Sequence, residues 1–431
     1  MLKKITMSAA ALLISAPLCA AINFDNPKGN NIKEEISNLK VNVPTPVPAT
    51  MSGKSVKEWT VMVFVNGKNN LERFAMEDMN EMEKIGSSDQ INVVTEIGRM
   101  SGYDSSDGNW VGARRYLVQK DGDTNKITSP VVADLGRVDM GDYEHLIDFG
   151  NWAKANYPAK KYMLVVWNHG SGWDKVGPPT GKGISYDDET NTHITTPQLG
   201  LALQGMGGVA VYGSDACLMQ MPEVNYEIKD YVEYIVGSEE TEPGDGYTYD
   251  LLLGPLVSNP YMSAEELGKL TVDAYSDFYQ TGYQDTTQSL FKVAAMDDFL
   301  LLVNDFVGTA MYANEKALVK TAVSRAQSFA TYNNKDLGNF LKLYAASSAS
   351  WEVKSKAQAL QDYLKNTLIV HNRLTGSFTP ETAMGLSVYL PGYSFDSAYN
   401  GLAWARASQW DEFVNWYLSK DAKDMYAARA N

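Results

Sequence analysis

What most limits the fold of this chain is an alternation along its first half. Short apolar runs rich in β-branched residues recur at Glu58 to Val65, Ile91 to Ile97, Ala113 to Val118, Tyr162 to Trp167, Val209 to Tyr212 and Tyr231 to Val236. Between several of them lie stretches with helical spacing. Asn70 to Ile85 runs through Leu71, Phe74, Met79 and Met82, and Asp142 to Asn156 through Leu146, Phe149 and Ala153; Pro197 to Met206 and Leu218 to Lys229 read as two more helices. Parallel strands need a crossover long enough to hold a helix, so this order predicts an α/β fold with a largely parallel sheet and helices on both faces. Beyond Gly254 the pattern turns helical over 264–279, 297–326, 337–346 and 353–372, with Ala383 to Leu390 a returning strand and Trp410 to Tyr417 a last helix. We therefore expect an α/β domain over 57–254, and over 255–431 a mostly helical subdomain whose returning strand completes the fold.

Ahead of this domain, Lys3 and Lys4, an apolar stretch from Ala9 to Leu18 and the small residues Cys19-Ala20-Ala21 read as a secretory signal peptide over 1–21, cut near Ala20 or Ala21. A lipid anchor on Cys19 is the weaker reading, because Ala16-Pro17-Leu18 lacks the small residue such sites want before the cysteine. Residues 22–56, with Pro44-Thr-Pro46-Val-Pro48 and few aromatics, read as a linker or pro-segment. The expected protein is secreted or periplasmic, without stable membrane insertion, since no later segment reaches about 18 uninterrupted apolar residues. Its formal net charge of -15 repels phosphate backbones and argues against nucleic acid as a partner.

Removal of the leader leaves Cys217 as the lone cysteine, so no intramolecular disulfide supports the fold. Cys217 follows the run Val209 to Tyr212, in Gly213-Ser-Asp-Ala-Cys217, and His169 follows the run Tyr162 to Trp167, in Asn168-His-Gly-Ser-Gly-Trp173. Ligands of open α/β sheets bind beyond the carboxyl ends of the strands, where both residues are expected. A cysteine and a histidine there make a nucleophile and a proton carrier. Helix amides and an imidazolium near Cys217 would favour the thiolate, and the N–H groups of Gly170 and Cys217 could form an oxyanion hole. Asp215 shares the face of Cys217 if the strand stays extended, where a buried carboxylate could hold a substrate cation. The loop Gly237-Ser-Glu-Glu-Thr-Glu-Pro-Gly-Asp245 adds acids on the same rim. Taken singly, Cys217 reads as a small core residue, His169 as a loop histidine and the acidic loop as solvated. His145, His193 and His371 have no companions at metal-ligand spacing, so no metal site is expected.

These two motifs, Asn168-His-Gly-Ser-Gly-Trp173 and Ser214-Asp-Ala-Cys-Leu218, resemble those of the clostripain family of cysteine peptidases (C11), in the caspase-like clan. The resemblance extends to Trp59-Thr-Val-Met-Val, Asn66-Gly67, Asn69-Asn70-Leu71, Ala159-Lys-Lys-Tyr162 and Gly385-Leu-Ser-Val-Tyr-Leu-Pro391. It implies a caspase-like αβα sandwich that cleaves peptide or protein substrates after Arg or Lys through an acyl-thioenzyme. Cys217 matches the nucleophile, His169 the histidine, Asp215 the first acid of the S1 pocket that takes the residue before the cut, and Asp245 more loosely the second, with Glu239, Glu240 and Glu242 of the same loop as competitors. Family members often cut themselves between histidine and cysteine, and the Gly/Pro-rich stretch from Asp174 to His193 offers Lys175 and Lys182, the latter in Gly181-Lys-Gly183. No cofactor is required by this chemistry. Calcium dependence of some relatives leaves calcium open, with Asp187-Asp188-Glu189 an acidic loop but no EF-hand spacing.

Two alternatives stand beside the endopeptidase reading. One keeps fold and dyad but passes the acyl group to an amine, as a transpeptidase; the other is a catalytically silent exported α/β binding protein whose cysteine is core. A serine hydrolase is disfavoured, because neither Ser171 nor Ser214 lies in a Gly-x-Ser-x-Gly elbow.

Overall fold

The structure, a computed structural model, describes residues 55–173, 182–282 and 284–419. The leader, the linker segment up to residue 54, and Lys175 lie outside the described residues.

The strands are β1 Lys57–Gly67, β2 Ile91–Arg99, β3 Gly112–Leu117, β4 Val131–Gly136, β5 Ala159–Trp167, β6 Gly183–Asp187, β7 Thr192–Thr195, β8 Val209–Asp215, β9 Val232–Gly237, β10 Thr287–Lys292, β11 Asn334–Asp336, β12 Ile369–Leu374 and β13 Ser387–Tyr389. Nine of them form one sheet in the order β12-β10-β9-β8-β5-β1-β2-β3-β4. The five at its centre, β2-β1-β5-β8-β9, are all parallel, and the two on each flank add antiparallel.

Alternation along the central strands separates two cores. Met62, Phe64, Leu164, Val166 and Tyr212 face one layer, while Val61, Val63, Met163, Val165, Trp167 and Val211 face the other. The second layer is made by α1 Glu72–Ile85, then, later in the chain, by Tyr249–Ser258 and Ala264–Gln280. The first layer takes α2 Tyr143–Asn156, α3 Thr196–Gly205 and α4 Pro222–Ile228. With Tyr249–Ser258 and Ala264–Gln280 as α5 and α6, the first layer is extended by α7 Met296–Ala313, α8 Lys316–Arg325, α9 Leu337–Ser347, α10 Trp351–Tyr363, α11 Ala403–Ala407 and α12 Trp410–Leu418. The fold is an αβα sandwich of the caspase-like kind, with a strand set buried on both faces as its near-continuous apolar runs require.

The second half differs from its sequence reading in its strands, and the helix expected over 297–326 is two, α7 and α8, parted at Asn314. The returning strand forms as β13, but it pairs with β11 in a separate ribbon. The central sheet is instead extended by β10, whose Thr287-Gln-Ser-Leu-Phe-Lys292 carries no apolar alternation, and by β12, which overlaps the end of an expected helix. That helix, α10, ends through a turn of π-helix at Leu364–Leu368. Position 254 falls inside α5, and the residues beyond it supply both of these strands.

Local capping sets α6 against the sheet. Ser263 accepts from the Glu266 N–H at 3.2 Å while the Glu266 carboxylate accepts from the Ser263 N–H at 2.7 Å. Replacing Ser263 by Ala is expected to lower stability by about 1 kcal/mol, read as a lower urea midpoint with unchanged slope.

Candidate active site

β5 and β8 pair with Trp167 opposite Asp215, and the Asn168 N–H donates to the Asp215 carbonyl at 3.2 Å. His169 and Cys217 each lie two residues past these partners, and both line a cavity of about 270 Å³ with Trp167, Asp215, Ala216 and Glu242. The register thus brings together the residues singled out by the sequence.

Cys217 is half-buried in the turn after β8. The turn is held by Leu218, whose φ of +65° places a branched residue in the left-handed region. Its N–H is fixed on the Glu240 carbonyl at 3.0 Å, and its side chain packs with Phe329 and Ala383. The thiol accepts the Glu242 N–H at 3.3 Å, and the N–H groups of Gly170 and of Cys217 itself are also directed at it. Gly170 has no room for a side chain, because a Cβ would lie 2.5 Å from the Cys217 carbonyl oxygen. Burial nevertheless pushes the thiol pKa up, with the Glu240 carboxylate adding to it. Burial pulls His169 down, against the opposing pull of Asp188. At neutral pH the pair is therefore thiol and neutral imidazole. The expectation of a helix-stabilised thiolate is corrected: no helix begins at Cys217, and α4 starts only at Pro222.

The sequence showed no third member for the pair. The structure supplies one in Asn70, at the entrance to α1, whose Oδ1 lies 2.8 Å from His169 Nε2. Accepting from Nε2–H, it leaves Nδ1 as the ring's proton acceptor. No local motif marks this role, since the two residues lie 99 positions apart.

Asp215 is buried on the side of α1, α5 and α6. Its Oδ1 accepts from the Tyr247 N–H at 3.0 Å and its Oδ2 from the Tyr249 hydroxyl at 2.8 Å, yet burial pushes its pKa up to about 7. Gly246, at φ +51°, lets the loop close over it, since a Cβ there would meet Oδ1 at 2.6 Å. The acidic loop divides three ways. Glu239 is buried toward the second half and accepts from the Gly385 N–H at 3.0 Å. Glu240 accepts from the Ala330 N–H at 3.0 Å. Glu242 enters the cavity. Asp245 is exposed and is not part of the cavity wall.

Lys182, just before β6, is held away from this cavity. Its ammonium lies 2.6 Å from Asp396 Oδ2 and 4.1 Å from the centre of the Trp173 ring, a ring packed edge-on against Tyr389 and Tyr399. Of the candidate calcium loop, Asp187 and Glu189 pair with the buried Lys68 at 3.4 and 2.8 Å, and Asp188 accepts from the Tyr103 hydroxyl. Among the described residues no group of three or more His, Cys, Asp or Glu is placed to hold a metal ion, and no helix is long and apolar enough to cross a membrane.

The neutral thiol has a measurable consequence. At pH 7, Cys217 is expected to react with iodoacetamide more slowly than free cysteine, its rate climbing as pH rises past 9. A rate already at its plateau at pH 7 would contradict the raised thiol pKa.

Comparison with known proteins agrees with this architecture. The model of the clostripain family of peptidases matches residues 63–417. Clostripain of Hathewaya histolytica is 28% identical over 283 residues, an alignment covering 57% of this chain and 50% of that protein, so the chain spans about half the length of this curated relative. A secreted C11 cysteine protease from Bacteroides thetaiotaomicron, solved with an irreversible peptide inhibitor, superposes with a TM-score of 0.63 at 20% identity, over 82% of this chain and 99% of that one. An inactive zymogen C11 protease from Parabacteroides distasonis gives 0.62 at 18% identity over the same shares. With the fold shared and the family model spanning nearly all of the described residues, the chain belongs to the clostripain family of cysteine peptidases.

Proposed function

We propose that the chain is a secreted cysteine endopeptidase that cleaves peptide or protein substrates after Arg or Lys, with Cys217 as nucleophile and His169 as proton carrier. The observation that carries this is the single cavity holding His169, Cys217 and the buried acid Asp215. A substrate carbonyl enters beside Sγ, and the thiol proton passes to Nδ1 of His169 as sulfur bonds to the carbonyl carbon. The N–H groups of Gly170 and Cys217 receive the oxygen as it becomes anionic, each such donor being worth about 3 kcal/mol. His169 then gives the proton to the departing amine, leaving an acyl-thioenzyme. Water attacks this ester, losing its proton to the same imidazole, and the thiol is regenerated. Because the resting pair is neutral, proton transfer accompanies attack, and Asn70 holds the ring through both half-reactions. The P1 side chain, the one before the scissile bond, points to Asp215.

Fluorogenic peptides ending in Arg, Lys, Asp or Leu, assayed under reducing conditions with and without calcium, test this reading. Turnover of Arg or Lys peptides that vanishes in Cys217→Ala is expected; turnover of Asp or Leu peptides alone would discard the acidic S1 pocket, and none at all would favour the silent binding protein. Added amines that divert the acyl group, seen by product mass, would mark the transpeptidase.

Self-cleavage between His169 and Cys217 is part of the proposal, at Lys182 in preference to Lys175. The Asp396 carboxylate and Trp173 hold Lys182 in the uncut chain, so release from them precedes cutting. Asp396→Asn is expected to speed appearance of a new N-terminus at Gly183, and Lys182→Ala to abolish that N-terminus, followed by N-terminal sequencing. An active chain that stays intact would exclude self-cleavage.

A further inference from the structure

We infer that Glu242, and not Asp245, presents the carboxylate oxygen that meets the P1 cation beside Asp215. The inference rests on the basic-residue specificity proposed above and assigns its second acid.

Position is the first argument. Glu242 lines the cavity with Asp215 and Cys217, whereas Asp245, three residues on, is exposed and outside it. Free valence is the second. Both oxygens of Asp215 already accept, from the Tyr247 N–H and the Tyr249 hydroxyl. Of the Glu242 oxygens, Oε1 accepts from Gln288 Nε2 at 3.1 Å, with Gln288 fully buried on β10 and setting the direction of the side chain. Oε2 is buried and meets no N–H or O–H donor among the described residues. An ionised oxygen in that state is costly unless a charge arrives to match it.

Charge balance is the third argument. Around the two acids stand Asp78 and Glu81 from α1, the phenols Tyr247, Tyr249 and Tyr275, and the Cys217 thiol. Among the described residues no lysine or arginine forms an ion pair with Asp215 or Glu242, whereas the buried Glu72 on the β2 side of the sheet has Arg99 at 2.7 Å. Burial and the neighbouring Asp215 carboxylate both raise the pKa of Glu242, and an entering ammonium or guanidinium supplies the positive charge that relieves them. Glu242 also ties recognition to chemistry: its side chain reaches the P1 cation while its N–H rests on Sγ at 3.3 Å, so the segment that reads the side chain also borders the scissile carbonyl.

The test is steady-state kinetics on three peptides that differ only at P1, carrying Arg, Lys or the neutral isostere citrulline, with wild type, Glu242→Gln and Asp245→Asn. Loss of a charge-assisted contact is expected to raise KM for Arg and Lys about 10- to 100-fold in Glu242→Gln. Citrulline turnover should change less than about 3-fold, so that selectivity for Arg over citrulline collapses, while Asp245→Asn stays within about 3-fold of wild type on all three. Selectivity that collapses in Asp245→Asn and survives in Glu242→Gln would overturn the assignment. Glu242→Asp, which keeps the charge, should retain selectivity at reduced kcat/KM; it decides the question if the Gln variant does not fold, because selectivity lost in a folded Glu242→Asp together with a lost citrulline rate would mean a structural role only. A wild type without turnover of Arg or Lys peptides overturns the basic-residue specificity itself, and the assignment with it.

Discussion

Every part of the candidate site hangs on the register between β5 and β8. With Trp167 opposite Asp215, the next two residues of each strand emerge side by side at the carboxyl edge of the sheet. A slip of one residue would send each side chain of β8 to the opposite face. Asp215 would then enter the layer of Leu164 and Tyr212, leaving Tyr247 and Tyr249 without their acceptor. Asn168 clamps the register from the side: its Nδ2 donates to the Asn66 carbonyl of β1 at 2.5 Å, and its Oδ1 accepts from the Tyr186 N–H of β6 at 2.7 Å. One residue thereby joins two sheet strands and the ribbon that follows the histidine.

The same edge of the sheet treats charge in two ways. Toward β2, several buried charges are matched by ion pairs: Arg99 with Glu72, Arg115 with Glu96, Lys68 with Asp187 and Glu189. Removing either partner of such a pair strands a charge, so these pairs specify geometry more than they add stability. Beyond β8 the acids outnumber the cations, and burial raises the pKa of Asp78, Asp215 and Glu242 alike. A second pair of acids, Glu239 with Asp336, lies on the other side of the same loop, where Asp336 also accepts from the Met384 N–H at 2.6 Å. The loop beside Cys217 is thus anchored to the second half of the chain by hydrogen bonds from backbone amides, Gly385 to Glu239 and Ala330 to Glu240.

Much of this architecture was legible in the residues because its signals are local. The apolar runs that became β1, β2, β5, β8 and β9 are largely buried on both faces and therefore near-continuously apolar, and the helices between them carry their stripe on one side. Strands lacking that signal were missed for a physical reason. β4 is an exposed edge, and β10 is polar yet buried because it lies inside the sheet between β9 and β12 and its two faces meet the two helical layers, Leu290 on one side and Phe291 on the other. For the site, His169, Gly170, Asp215 and Cys217 stood out because each follows or ends a strand. Asn70 did not, and Glu242 was one of several loop acids that the sequence could not rank, since both roles depend on contacts across the chain.

The sequence by itself determined the order of the central strands and of the helices between them, and the residues at the strand ends, all of which follow from composition and short-range periodicity. Tertiary structure alone decided the rest. It set which oxygen orients the imidazole, which acid of the loop enters the cavity, and that thiol and imidazole rest neutral. Those outcomes depend on burial and on through-space distance between residues far apart in the chain, and neither quantity is written in any short segment of it.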